Sequence, residues 1–197
     1  MRIEIRFTEP LLGSAPRDQE TFTNFVGSKA PAKEEVDGDE VACIPVDEQI
    51  EKGSTGFMKE DGRPFVFDYV IRGFMKGACG MLRMAPGTAS AKLKAYKKRI
   101  DGLIFVKPRR IFLILPRGVE LTWNERPLRA ETAQGPRVCL ARSEQAPAGT
   151  RIECEINLLD QSLEAIVHEW LDYGALCGLG QWRNGSYGRF EWKEIES

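Results

Sequence analysis

Histidine is nearly missing from this chain of 197 residues: His168 is the one copy. The five cysteines, Cys43, Cys79, Cys139, Cys154 and Cys177, stand far apart with no C-x-x-C pair. Zinc and iron–sulfur centres are built from clustered thiolates and imidazoles, so no metal site and no cofactor is expected. An odd number of scattered cysteines also argues against a secreted disulfide framework and for reduced, mostly buried thiols. There is no run of about 18 apolar residues and no charged-then-apolar leader, so neither a membrane span nor a secretory signal is read, and a cytoplasmic protein is the expectation. Internal repeats and low-complexity segments are lacking too. What is there suffices for a full core, and residues 1–197 are expected to form one compact domain.

The formal net charge is only −1, yet the charge is unevenly spread. Residues 63–151 carry 18 Lys and Arg against 6 Asp and Glu, whereas residues 1–62 carry 7 against 14 and residues 152–197 carry 3 against 9. A concentrated positive surface attracts phosphate backbones even when the whole chain is slightly acidic. The stretch "KEEVDGDEVACIPVDEQIEK" has too few large apolar residues to pack, and residues 33–53 read as an acidic surface insertion.

Along the chain, "RIEIRFT" alternates Ile3, Ile5 and Phe7 with charged residues, the period of a half-buried strand. "DQETFTNFVGSKA" predicts a short helix with Asp18 as its cap. Asp61-Gly62 inside "GFMKEDGRPFVF" marks a hairpin. The next segment, "DYVIRGFMKGACGMLRMAP", is helical by its spacing. At 100° per residue Val70, Ile71, Phe74, Met75, Ala78, Met81 and Leu82 fall on one side and Arg72, Lys76 and Arg83 on the other, with Gly73, Gly77 and Gly80 beside them. Each glycine inside a helix costs up to about 1 kcal/mol relative to alanine, so this face should gain from close approach of a neighbour or a ligand.

"SAKLKAYKKRIDG" predicts a second, exposed basic helix, followed by strands at "LIFV", "RRIFLIL" and around "VELTW", then a polar stretch up to Gly135. "RVCLAR" and "RIECEINLL" read as a strand pair joined across "APAGT". "DQSLEAIVHEWLDYGAL" places Leu163, Ile166, Val167, Trp170 and Leu171 on one stripe, capped by Asp160 or Ser162. The loop "CGLGQWRNGSYG" then leads into the strand "YGRFEWKEI".

That loop follows a helix and precedes a strand. Dinucleotide and P-loop sites need the reverse order, with phosphate on a helix N-terminus, so neither is expected. Glycines still let a backbone lie flat against a polynucleotide; Trp182 and Tyr187 have rings on which bases stack, and Arg183 and Arg189 have charge for phosphate. A tight connection whose tryptophan covers the core fits the same residues.

Three segments together resemble the RAMP superfamily, the RNA-binding and RNA-processing proteins of CRISPR systems. Gly178, Gly180, Tyr187, Gly188 and Phe190 match its glycine-rich loop of form G-x-G-x5-aromatic-G-x-apolar. "YVIRGFMKGACGMLR" is similar to a helix start in the backbone subunits of type III effector complexes, without that family's Ser-Ser pair, and "RVCLARSEQAPAGTRIECEINL" is similar to their strand pair with its P-A-G-T turn. The chain also resembles solitary RAMP-like proteins of phages and prophages. The resemblance implies an α+β fold: a ferredoxin-like (RRM-like) antiparallel sheet with helices on one face, elaborated by insertions. It implies that Arg72, Lys76, Arg83, Gly178, Gly180, Gln181, Trp182, Arg183, Tyr187 and Arg189 line one strand of RNA, with Arg109, Arg110, Arg137 and Arg142 as weaker candidates. Its partners would be single-stranded or guide RNA, other effector subunits or copies of itself.

Two other readings stay open. A phage-encoded mimic would block a host defence complex, presenting its acidic segment to a basic partner. A metal-independent endoribonuclease would use His168, which lies 140° from Leu163 at the polar edge of its stripe, or Asp18, which suits a helix cap equally well. No nucleophile–base pair is legible, and binding without catalysis is the reading preferred.

Overall fold

A computed structural model describes residues 1–16, 54–132 and 135–196. The expected helix that begins at Asp18 and the acidic insertion 33–53 lie outside them.

Alternation in "RIEIRF" produces strand β1 (Arg2–Phe7), whose Ile3, Ile5 and Phe7 are fully buried. Short strands β2 (Leu11–Leu12) and β3 (Ala15–Pro16) follow, then β4 (Ser54–Gly56). The Asp61-Gly62 hairpin joins β5 (Met58–Glu60) to β6 (Arg63–Phe67), both turn residues having positive φ. Helix α1 (Asp68–Leu82) buries Ile71, Phe74, Met75, Ala78 and Cys79. Its apolar stripe is thus rotated toward Cys79, and Met81, expected inside, is 53% exposed. The second basic segment is not one helix. It forms a 3-10 turn at Ala89–Lys92, whose amides on Ala89 and Ser90 are held by Glu169, then a left-handed Ala95, then α2 (Tyr96–Leu103).

After α2 come β7 (Ile104–Lys107), β8 (Arg110–Phe112), β9 (Thr122–Thr132), β10 (Gly135–Ala146) and β11 (Arg151–Leu158), then α3 (Glu164–Asp172) and β12 (Phe190–Glu194). Leu163, Val167, Trp170 and Leu171 are the buried stripe of the α3 region, and Asp160 accepts from the Ser162 amide as a cap.

Strand order in the principal sheet is β12-β1-β11-β7, antiparallel throughout, with Ile3 opposite Cys154, Ile5 opposite Ile152 and Phe7 opposite Phe190. With α1 after the first strand and α3 after the third, this is the ferredoxin-like β-α-β-β-α-β arrangement, and the fold is α+β. The helices share one buried cluster with the inward residues of β1, β11 and β12: Phe74 meets Phe190 edge-on at 5.2 Å, and Phe190 meets Phe7 at 6.2 Å.

Insertions carry the remaining strands. One sheet has the order β5-β6-β8, another β2-β10-β4-β3 with β9 along β10. The polar stretch before Gly135 is part of β9, paired with β10 from Thr122–Gln145 to Thr132–Gly135. The strands on either side of "APAGT" do not pair with each other: β10 belongs to the inserted sheet and β11 to the principal one. The turn between them is pinned to β1 instead, Gly149 N donating to Phe7 O at 2.7 Å and Phe7 N to Thr150 O at 2.9 Å.

Candidate nucleic-acid interface

The exposed side of α1 is lined as its helical spacing predicts, but its charges are partly spoken for. Arg72 pairs with Asp68 one turn earlier (3.1 Å) and Lys76 with Asp101 of α2 (2.5 Å). Arg83 lies over the Tyr96 ring at 5.1 Å. Of the three glycines, Gly73 has nothing within 4 Å of where a Cβ would stand, while Gly80 faces the Tyr96 hydroxyl at 3.1 Å. Gly77 faces Nη1 of Arg183 at 3.2 Å. The arginine of the glycine-rich loop therefore reaches across the bare strip of α1, and the two candidate regions adjoin.

Within the loop, two glycines are consumed by internal packing. A Cβ on Gly178 would stand 2.1 Å from Tyr187 O, and one on Gly188, at φ +70°, 2.0 Å from Leu179 O. Their surroundings close through Leu179 N to Gly188 O and Gly188 N to Pro10 O, both 2.8 Å. Gly178, expected to face RNA, is buried where the loop crosses itself. Gly180, at φ +83°, rests against Leu11 and Leu12. Gln181 also turns inward: its Nε2 reaches Gly13 O, Thr55 Oγ1 (2.8 Å) and Ser143 Oγ (2.9 Å), tying the loop to the inserted sheet.

Trp182, Arg183, Tyr187 and Arg189 make up the outer part. Trp182 is left-handed at φ 52° and 38% exposed, and its ring stacks on Tyr187 with centroids 5.0 Å apart and planes at 17°. Arg183 is exposed. Arg189 is half-buried with its Nε unpaired, while its carbonyl receives Thr8 N at 2.9 Å and Glu9 N at 3.3 Å.

Beneath the stack lies a residue that the sequence did not single out. Arg126 of β9 places its guanidinium over the Trp182 ring at 4.6 Å and donates through Nη1 to Ser143 Oγ (3.1 Å) and Asn124 Oδ1 (3.3 Å). Asn124 in turn donates to the Tyr187 hydroxyl at 2.9 Å. Burial lowers the pKa of this guanidinium from its ordinary value, opposed by the nearby Tyr187 phenol. Charged residues on polar strands usually face water, so nothing in "TWNERPLR" marks Arg126 as buried.

The weaker candidates are scattered. Arg109 lies over Phe67 and 4.0 Å from Asp68, Arg110 pairs with Glu60, and Arg142 pairs with Glu125 while covering Trp123. The Arg137 side chain and Asp18 fall outside the described ones. His168 is half-exposed, its Nε2 3.2 Å from Glu194 Oε1 and its ring 5.0 Å from Trp192. Glu164, His168 and Glu194 bring one ligand atom each within 4.8 Å, which is the single metal-competent grouping among the described residues, and both carboxylates are exposed. Of the described cysteines Cys79, Cys154 and Cys177 are free thiols; burial raises the first and pushes the second up to about 12. Among the described residues no helix is long and apolar enough to cross a membrane.

No family model matches the chain, and no curated protein matches it. Among solved structures, a chain from the type III-B Cmr-beta complex bound to cognate target RNA is similar over 99% of this chain at 12% identity, with a TM-score of 0.50. This protein spans 58% of that chain's length. A chain from a type IV-B CRISPR complex is similar over 100% of this chain and 90% of its own at 13% identity, with a TM-score of 0.46. The Cmr-beta likeness establishes a common α+β fold with a subunit of a CRISPR effector complex.

Proposed function

We propose that the protein is a RAMP-like RNA-binding protein, one domain over residues 1–197, that grips single-stranded or guide RNA through its sugar–phosphate backbone. The observation that carries the reading is Arg183 lying 3.2 Å from the place of a Cβ on Gly77. It joins the basic side of α1 and the aromatic rim of the loop into one surface, with Arg72, Lys76, Arg83, Arg183 and Arg189 supplying charge and Trp182 and Tyr187 supplying rings. Contacts to phosphate carry no sequence information, so little base preference is expected. The type III-B neighbour was solved with its target RNA, which supports the same ligand here and, as partners, other effector subunits or copies of this chain. A phage or prophage origin and a cytoplasmic role in antiviral defence belong to this reading.

Fluorescence polarisation with a labelled single-stranded RNA tests it. Affinity should fall steeply with salt, and Lys76→Glu or Arg183→Glu should each weaken binding and lower the salt slope by about one. Absence of binding at low salt would overturn the proposal in favour of a protein-interaction module.

A further inference from the structure

Strand alternation gives the sheet β5-β6-β8 two unlike faces. Val66 and Ile111 stand opposite each other and pack on the central cluster, so Arg63, Phe65 and Phe67 of β6, with Arg110 and Phe112 of β8, share the face turned away from it. Rings run along that face. Phe112 meets Phe65 at 5.9 Å, Phe65 meets Phe67 at 5.1 Å, and Phe67 stacks on Tyr69 of α1 with centroids 5.2 Å apart and planes at 18°. Each phenylalanine carries a guanidinium: Arg63 over Phe112 at 4.3 Å, Arg110 over Phe65 at 5.7 Å and Arg109 over Phe67 at 5.6 Å. The row ends at Tyr69, which is 53% exposed. Phenylalanines usually belong in a core. A row of them outside it, interleaved with arginines, has the composition of a single-strand platform, where bases stack on rings and phosphates meet charge.

The carboxylates at this face are taken up unevenly. Glu60 pairs with Arg110, and Asp68 pairs with Arg72 at 3.1 Å. Arg109 comes no nearer to Asp68 than 4.0 Å, and its side chain is 76% exposed. Arg63 is exposed as well, with no carboxylate partner among the described residues. We propose that a bound single strand continues from α1 onto this face, one base stacking on the side of Tyr69 turned away from Phe67, and phosphates meeting Arg109 and Arg63. This deepens the RNA-binding reading and rests on it. Asp68 is the join between the two surfaces: it holds Arg72 of the α1 interface, its amide donates to Arg109 O at 3.0 Å, and its carboxylate faces the Arg109 guanidinium. Planar forks suit phosphate oxygens, and exposed rings in a row suit bases of any sequence.

The experiment follows polarisation of a labelled oligouridylate of about 16 nucleotides across salt concentrations. It compares wild type, Tyr69→Ala, Tyr69→Phe, a double variant carrying Arg63→Gln and Arg109→Gln, and Arg183→Glu. Tyr69→Ala should weaken binding about tenfold at an unchanged salt slope, and Tyr69→Phe, which keeps the ring, should bind as wild type does. The double arginine variant should bind more weakly and lower the slope by about 1.4, the release expected from two single-strand phosphates. If that variant fails to fold, the two Tyr69 variants decide. Wild-type affinity in Tyr69→Ala and in the arginine variant, beside a weakened Arg183→Glu, would overturn the extended path and leave the α1 interface standing. Losses in those two beside an unchanged Arg183→Glu would keep this face as an RNA site and overturn the loop side of the α1 interface. A Tyr69→Phe as weak as Tyr69→Ala would overturn the stacking. Absence of RNA binding by wild type at low salt would overturn both surfaces and leave this face to a protein partner.

Discussion

Glycines at two sites in this chain answer different physical demands, and substitution separates them. Gly188 combines φ +70° with a Cβ position 2.0 Å from a backbone oxygen, which no side chain can relieve by rotating. Gly188→Ala is expected to lose about 2–4 kcal/mol of stability in chemical denaturation, from left-handed strain plus backbone displacement. Gly73 is helical with open space where a side chain would stand. Gly73→Ala should therefore gain up to about 1 kcal/mol. If a polynucleotide lies along α1, the same methyl group should weaken RNA binding, so stability and affinity would move in opposite directions. A variant that gains stability and keeps full affinity would remove the Gly73 end of α1 from the interface.

At the level of elements, the principal sheet has a charged cluster on the side away from its apolar residues. Glu4 of β1 lies between Arg151 at the start of β11 (3.0 Å) and Lys193 of β12 (3.2 Å). Burial raises its pKa, but the hydrogen bonds and charges of Lys193 and Arg151 outweigh that and hold it below the ordinary 4.5. A carboxylate depressed in the folded state contributes stability above its unfolded pKa and loses it as pH falls through the folded one. The excess stability of wild type over Glu4→Gln should accordingly be full at neutral pH and shrink below about pH 4.5, as followed by urea unfolding at a series of pH values. The principal elements were legible because each states its period: α1 and α3 repeat apolar residues every three to four positions, and β1 and β11 alternate. The separation of β10 from β11 was not, since a short turn between two strand-like runs looks the same whether the strands pair or enter different sheets. Most of β9 was hidden for a related reason, its polar residues lacking the alternation of a half-buried strand. In the candidate interface, the loop's rings and arginines could be read off the sequence. The inward turn of Gln181, the self-crossing at Gly178 and the buried Arg126 depend on contacts between segments far apart in the chain.

For the whole molecule, the chain's charge asymmetry is compatible with an interface made from its middle and its last quarter. Of the residues proposed for it, Arg72, Lys76 and Arg83 come from the basic middle, and the loop rises from the acidic last quarter. Deleting residues 190–197 should test how far the parts depend on one another. It removes β12 and Phe190, which touches both Phe7 and Phe74, and leaves β1 with a bare edge. The shortened chain is expected to be insoluble or to lack a cooperative melting transition, and a soluble, cooperatively folding product would contradict the central place given to that strand. Strand β1 is made well before both of its neighbours, β11 and β12, which come from beyond residue 150. At a synthesis rate of about 5–20 residues per second, a nascent β1 waits roughly 8–30 s for its first flank. During that interval its isoleucines are exposed on the ribosome, where a chaperone would have cause to hold them.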